Sequence, residues 1–357
     1  MDTGGAETFL MKLYRRLDTS EYQMDFCVNV ERECFYDKEI AERGGRIYHI
    51  PPKSQSVPEF RKQLTDIIKD NNYKYVLRVT SNAAGFMDLK IAKKAGAQIC
   101  AARSSNSSDG GGLRVNIAHK LGKILYGKYV DVKFAPSKLA GDYTFGAGAC
   151  DGGKVSILPN AIDLSLFKYS EKDRADVRKE FGISDNTVVM GHIGRFSKQK
   201  NHKFLIEVFS EFNGKNPDSV LLLVGKGELE NEIKAQIKSL GLEKSVIFAG
   251  IRSDIPRVLC AMDVFVFPSF YEGMPNTVIE AQATGLPCVI ADTITQEAGV
   301  TDCVHFTGLN DTTEKWLDEI DKCLTPSERT GRAEIMKARG YDIDSAAEKF
   351  VKLVFGE

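Results

Sequence analysis

Four charged residues follow the ends of apolar runs, where side chains can meet a ligand. Arg195 and Lys200 come after the run Thr187–Ile193, and Glu272 and Glu280 come after Val264–Phe267. The cations belong to Gly194-Arg195-Phe196-Ser197-Lys198-Gln199-Lys200-Asn201, on a turn entering a helical stretch. A glycine at a strand end lets backbone approach a ligand closely. Two cations beside a positive helix start suit a diphosphate. Each charge-assisted bond contributes about 1.5–3 kcal/mol, enough to make the pair its main grip. Val224-Gly225-Lys226-Gly227-Glu228 repeats the pattern of strand, glycine loop and helix, and Phe248-Ala249-Gly250-Ile251 ends a further apolar run with small residues against which a flat base can lie. The longest pattern is Pro268-Ser269-Phe270-Tyr271-Glu272-Gly273-Met274-Pro275-Asn276-Thr277-Val278-Ile279-Glu280-Ala281. Pro275 suits the first turn of a helix, whose free N–H groups at Asn276 and Thr277 face an anion. The two glutamates are thereby held apart, one near a sugar and one deeper, beside a pair of ribose hydroxyls.

The elements that must carry these residues alternate. Residues 75–79, 97–101, 133–135, 187–193, 220–224, 246–248, 264–267 and 288–291 are short runs, apolar on both faces, as buried parallel strands are. Amphipathic stretches such as 204–212 and 229–240 lie between them. The alternation is that of an α/β chain with open parallel sheets, which bind ligands at the carboxyl ends of their strands. A length of 357 residues points to two domains. The break falls at Leu158-Pro159-Asn160, giving domains 1–158 and 159–340 and a final helical segment 341–357.

Composition narrows the function. The net charge of −1 argues against a nucleic-acid binder, yet residues 1–158 carry 24 basic against 18 acidic side chains and the remainder 24 against 31. A basic half suggests an anionic partner for that domain. Eight cysteines without a Cys-x-x-Cys pair read as reduced, buried thiols of a cytoplasmic protein. No signal peptide opens the chain and no apolar run reaches the length of a membrane span, which leaves a soluble or peripheral protein. Asp342-Ile343-Asp344 has the spacing of a metal-binding pair, but precedes a helical stretch and reads as a cap, so no metal is expected.

Taken together, Gly194-Arg195…Lys200, Val224-Gly225-Lys226-Gly227, Glu272 with Glu280, and Ala281-Gln282-Ala283-Thr284-Gly285-Leu286-Pro287 resemble the donor-binding domain of retaining GT-B glycosyltransferases, family 4 (group 1), of the bacterial capsule and exopolysaccharide type. The likeness is strong over 160–310 and extends to Gly4-Gly5-Ala6-Glu7-Thr8, similar to that family's first glycine loop. It implies two Rossmann-like domains whose parallel sheets face a cleft, with the last helix packing back on the first domain. It also implies a UDP-sugar donor without cofactor, and a hexose or N-acetylhexosamine passed with retention to a surface polysaccharide or polyprenyl-linked acceptor. Arg195 and Lys200 would hold the diphosphate as leaving group, Glu280 the ribose and Glu272 the sugar. Backbone around Gly273, Met274 and Pro275 would meet sugar or phosphate, and Gly4 and Gly5 would lie near phosphate and acceptor.

Two departures from that family accompany the likeness. No strand precedes Gly4, so a truncated start or a first sheet short of its central strand is expected. The family's histidine after 97–101 is replaced by Arg103-Ser104-Ser105; Arg103 is a candidate for phosphate or acceptor, and His119 is left out of the site. A nucleotide-sugar-binding partner without turnover is therefore the alternative, and an epimerase a third. The stretch 104–112 (Ser-Ser-Asn-Ser-Ser-Asp-Gly-Gly-Gly) is expected to be a mobile loop. Residues 113–130 alternate Leu113, Ile117, Leu121 and Ile124 or Leu125 with Arg114, Lys120, Lys123 and Lys128. That stripe either packs on the sheet or meets an anionic membrane at the inner face of the cell.

Overall fold

The computed structural model describes residues 1, 5–105, 112–325 and 329–356. The chain divides into two units, Met1–Ile162 with Gly340–Glu357, and Asp163–Arg339. Chain 340–357 thus belongs to the first unit, and the division falls at 162/163.

The first unit holds strands β1 (Phe26–Val28), β2 (Ile47–His49), β3 (Tyr75–Thr80), β4 (Ile99–Ser104), β5 (Val132–Ala135) and β6 (Ser156–Ile157). They form two separate parallel sheets, β1-β2 and β3-β4-β5-β6. One face of the larger sheet is covered by helices Val57–Asp70 and Phe86–Ala95, through a core of Phe60, Leu64, Phe86 and Leu89. On the other, Phe134 and Ala101 meet Phe9 and Leu13 of helix Gly5–Tyr14 and Phe350 and Val354 of helix Ile343–Phe355. The last helix starts where Asp342 accepts from Ser345 N, so the Asp342-Ile343-Asp344 motif caps it. A parallel bridge between Ile162 and Asp342 ties the two ends of this unit together.

The second unit is one parallel sheet built from β7 (Val188–Ile193), β8 (Ser219–Val224), β9 (Val246–Gly250), β10 (Val264–Phe267), β11 (Cys288–Ala291) and β12 (Val304–Thr307). Their order is β12-β11-β10-β7-β8-β9. Strand β7 pairs with β8 on one side and β10 on the other, so the winding reverses between β7 and β10. All four residues of β10 are fully buried, and each contributes about 1.5–3 kcal/mol of transfer free energy.

Three expectations need correction. Strands β1, β2 and β6, two or three residues long, carried too little pattern to be singled out, and β12, where His305 and Thr307 break the apolar run, was also missed. The cysteines are free thiols, but only Cys34, Cys100, Cys260, Cys288 and Cys303 are buried; Cys27 is exposed. The stripe of residues 113–130 does not lie on the sheet. In helix Leu113–Tyr126 the buried residues are His119 and Gly122, while Leu113, Ile117, Leu121, Ile124 and Leu125 are exposed. A Cβ on Gly122 would stand 2.3 Å from Ala83 O, so that glycine lets the helix settle on the Ala83–Gly85 turn. His119 fastens the same face: its Nδ1 accepts from Ala83 N, Nε2 donates to Tyr143 O, and its ring stacks on Tyr143. The 104–112 loop falls largely on residues 106–111, outside the described residues. Among the described residues, no helix is long and apolar enough to cross a membrane.

Candidate active site

Because the sheet is parallel, the loops after β7, β8, β9 and β10 emerge at one edge, and β7 and β10 flank the reversal, where open α/β sheets leave a crevice. After β7 the chain runs through Gly194 and Arg195, a tight turn Lys198–Lys200 and Asn201 at φ +54°, into helix His202–Lys215. After β10 it runs through Pro268–Met274 into helix Asn276–Ala283, with Pro275 as N-cap, one position before the first turn expected for it.

These two loops meet. Lys200 Nζ donates to Glu272 Oε1 at 2.7 Å, with the side chains 17% and 11% exposed. The ammonium also lies over the Phe267 ring, 4.5 Å from its centroid. Gln199 stitches the loops further: its side chain donates to Tyr271 O at 2.8 Å, and its carbonyl accepts from Phe270 N. A cation and a carboxylate from opposite sides of the reversal thus share one half-buried spot.

The other cation points elsewhere. Arg195 is 74% exposed and donates to Glu228 at 3.1 Å, on the turn after β8. Glu280 is half-buried at the fifth position of helix Asn276–Ala283, with Met274, Asn276 and Thr277 also half-buried at its start. Gly250 closes β9 at φ +68°, after Ala249, and leaves Ile251 exposed. Gly5 is the first residue of helix Gly5–Tyr14 in the other unit, and Gly4 lies outside the described residues. Gly273 lies in the bend between Glu272 and Pro275.

The glycines after β8 have a packing reason. A Cβ on Gly225, which is at φ +135°, would stand 2.1 Å from Gly194 O, and one on Gly227 2.3 Å from Phe196 O. Backbone bonds from Gly194 N to Val224 O and from Phe196 N to Lys226 O hold these loops together. The glycines let the β8 loop lie directly on the loop that carries Arg195.

Two residues beneath the site escaped sequence reading. His192, on β7, and His202, at the next helix start, lie 4.7 Å apart with almost no exposure. His192 stacks on Phe267 and its Nδ1 donates to Val266 O, which leaves Nε2 as an acceptor without a partner. Neither nitrogen of His202 is bonded among the described residues. Burial pushes the His202 ring down to about 4, with help from Lys200, and burial also drives His192 well below its ordinary value, so both are neutral near pH 7. Their signal was a histidine inside an apolar strand and another one turn past the glycine loop. Arg103 is fully buried over the Phe9 ring and donates to Asn160 at 2.6 Å. Among the described residues no group of three or more His, Cys, Asp or Glu is arranged to hold a metal ion.

Residues 173–329 match the family model "Glycosyl transferases group 1". The chain is 33% identical over 352 residues to the putative glycosyltransferase EpsF of Bacillus subtilis, covering 96% of this chain and 91% of that protein. The chain belongs to the group 1 glycosyltransferases. A 145-residue stretch is 39% identical to an Escherichia coli UDP-Gal:alpha-D-GlcNAc-diphosphoundecaprenol alpha-1,3-galactosyltransferase, covering 40% of this chain and 38% of that enzyme. Among solved structures, Anabaena HepE in complex with UDP superposes with a TM-score of 0.79 at 19% identity, over 100% of this chain and 98% of that one. The fold is GT-B. The Lys200–Glu272 pair therefore stands in a glycosyltransferase, on the loops flanking the reversal of its second sheet.

Proposed function

We propose that this glycosyltransferase moves a hexose or N-acetylhexosamine from a UDP-sugar, with retention of configuration, to a surface polysaccharide or polyprenyl-linked acceptor at the inner face of the membrane. The observation that carries the reading is the Lys200–Glu272 contact across the reversal. Bound diphosphate takes Lys200 as counter-ion. Glu272, released from that pairing, accepts from a hydroxyl of the donor sugar. Arg195, paired with an exposed glutamate, turns from Glu228 to the diphosphate at little cost. The helix start at Asn276 and Thr277 adds backbone N–H groups toward the same anion. Glu280 takes the ribose hydroxyls. Gly194, Gly250, Ile251 and Gly273 provide close backbone approach around the donor.

Fixed cations stabilise the departing UDP, which is the role a metal ion fills in other transferases, so we propose a metal-independent reaction without cofactor. The UDP assignment draws support from the names of the E. coli relative and of the UDP complex of HepE, and the lipid-linked acceptor from the first of these. The test is release of UDP from UDP-glucose, UDP-galactose and UDP-N-acetylglucosamine in the presence of a diphosphoundecaprenol-linked acceptor. An α-linked product, unaffected by a chelator, is expected. UDP binding with no turnover of any donor would instead support the nucleotide-sugar-binding alternative. An epimerised UDP-sugar without acceptor would overturn both.

A further inference from the structure

The helix Leu113–Tyr126 turns its apolar side away from the protein. Leu113 and Ile124 are each 76% exposed, Ile117 48%, Leu121 49% and Leu125 50%. At 3.6 residues per turn these five side chains cover an arc of about 120°, opposite the His119 and Gly122 face that anchors the helix. Scattered exposed apolar residues need no explanation, but three leucines and two isoleucines on one helix face do. Lys120 borders the arc on one side, Arg114 lies within it between Leu121 and Leu125, and Lys128 follows just beyond the helix, all three exposed. The helix contains no acidic residue at all.

We propose that this face docks the first unit onto an anionic lipid surface, the apolar arc entering the boundary of headgroups and acyl chains and the cations resting on lipid phosphates. An apolar arc accompanied by cations, lying flat on a protein, is the pattern of an interfacial helix. A second copy fits the face less well. A symmetric contact would bring the cations of one helix toward those of the other, and neither helix has a carboxylate to offset them. The excess of basic side chains in residues 1–158 has the same sign. The proposal deepens the reading of a lipid-linked acceptor by naming the surface that meets the membrane. It requires no donor, so its failure leaves the transferase assignment standing, and the reverse also holds.

The test is co-sedimentation of the full chain with vesicles of phosphatidylcholine alone and of phosphatidylcholine with phosphatidylglycerol. Binding to the anionic vesicles only, weakening with salt, is expected. Replacing Ile117→Asn together with Ile124→Asn should lower the vesicle partition coefficient at least about tenfold. Replacing Lys120→Glu should lower it at least about fivefold and reduce the preference for anionic lipid. All three positions are exposed, and unchanged melting temperatures establish that the variants fold. The proposal is overturned by binding that ignores lipid charge, by variants that sediment like the parent, or by absence of vesicle binding. It also falls if the face instead drives dimerisation in sedimentation velocity, or if it takes up polyglutamate but no vesicles.

Discussion

At the scale of single residues, Lys200 and Glu272 answer to two demands. With no ligand, each neutralises the other in a half-buried place, and removal of one strands its partner. With donor bound, each acquires its own target. Glu272→Gln should therefore retain UDP binding, measured by titration calorimetry, while the rate of sugar transfer falls about a hundredfold or more. Lys200→Ala should weaken UDP binding by one to two orders of magnitude, the equivalent of about 1.5–3 kcal/mol. Arg195→Ala should cost less in the free protein, where its tie to Glu228 is an exposed pair, and register in donor affinity and in the rate of sugar transfer. Beneath them, His202 adds a pH dependence. Its folded pKa of about 4 lies below the ordinary value near 6.5, so the unfolded chain takes up a proton that the folded one refuses. Stability is complete above about pH 6.5 and is lost as pH falls toward 4, by about 3 kcal/mol for this ring. His192 acts in the same direction. A His202→Gln protein should show a flatter melting temperature between pH 7 and 5 than the parent.

At the scale of elements, the loops after β7 and β8 are a single construction, because Gly225 and Gly227 admit no side chain between them. Gly225→Ala combines a clash with backbone and a left-handed φ, and should destabilise the second unit by about 1–3 kcal/mol, seen as a lowered melting temperature. Strands β7 to β11 were legible in the sequence because their residues are apolar on both faces, and burial on both sides is what writes that pattern. The two- and three-residue strands β1, β2 and β6 were not, since so few positions carry no periodicity. The loops at 194–201 and 268–276 could be read as strand-end turns, and their meeting follows from the order β10-β7. No spacing in the chain announces that order, which is why Arg195 and Lys200 read alike although only Lys200 meets Glu272. The direction of the stripe at 113–125 was equally hidden. It is decided by Gly122 and His119, which look incidental until Ala83 is seen against them.

At the scale of the whole molecule, each unit has its own buried core, so heating is not expected to follow a single two-state transition. Ligand that binds one unit stabilises that unit. UDP at a hundred times its dissociation constant contributes about 2.7 kcal/mol, and should move the calorimetric component assigned to 163–339 while leaving the other where it was. The path of the chain has a further consequence. Residues 163–339 interrupt the first unit, whose core is closed only by Ile343, Phe350 and Val354 near the far end. During synthesis the unit begun before the other is therefore finished after it: the nascent chain can complete residues 163–339 on the ribosome, while Phe9, Leu13 and Phe134 wait uncovered until helix Ile343–Phe355 emerges.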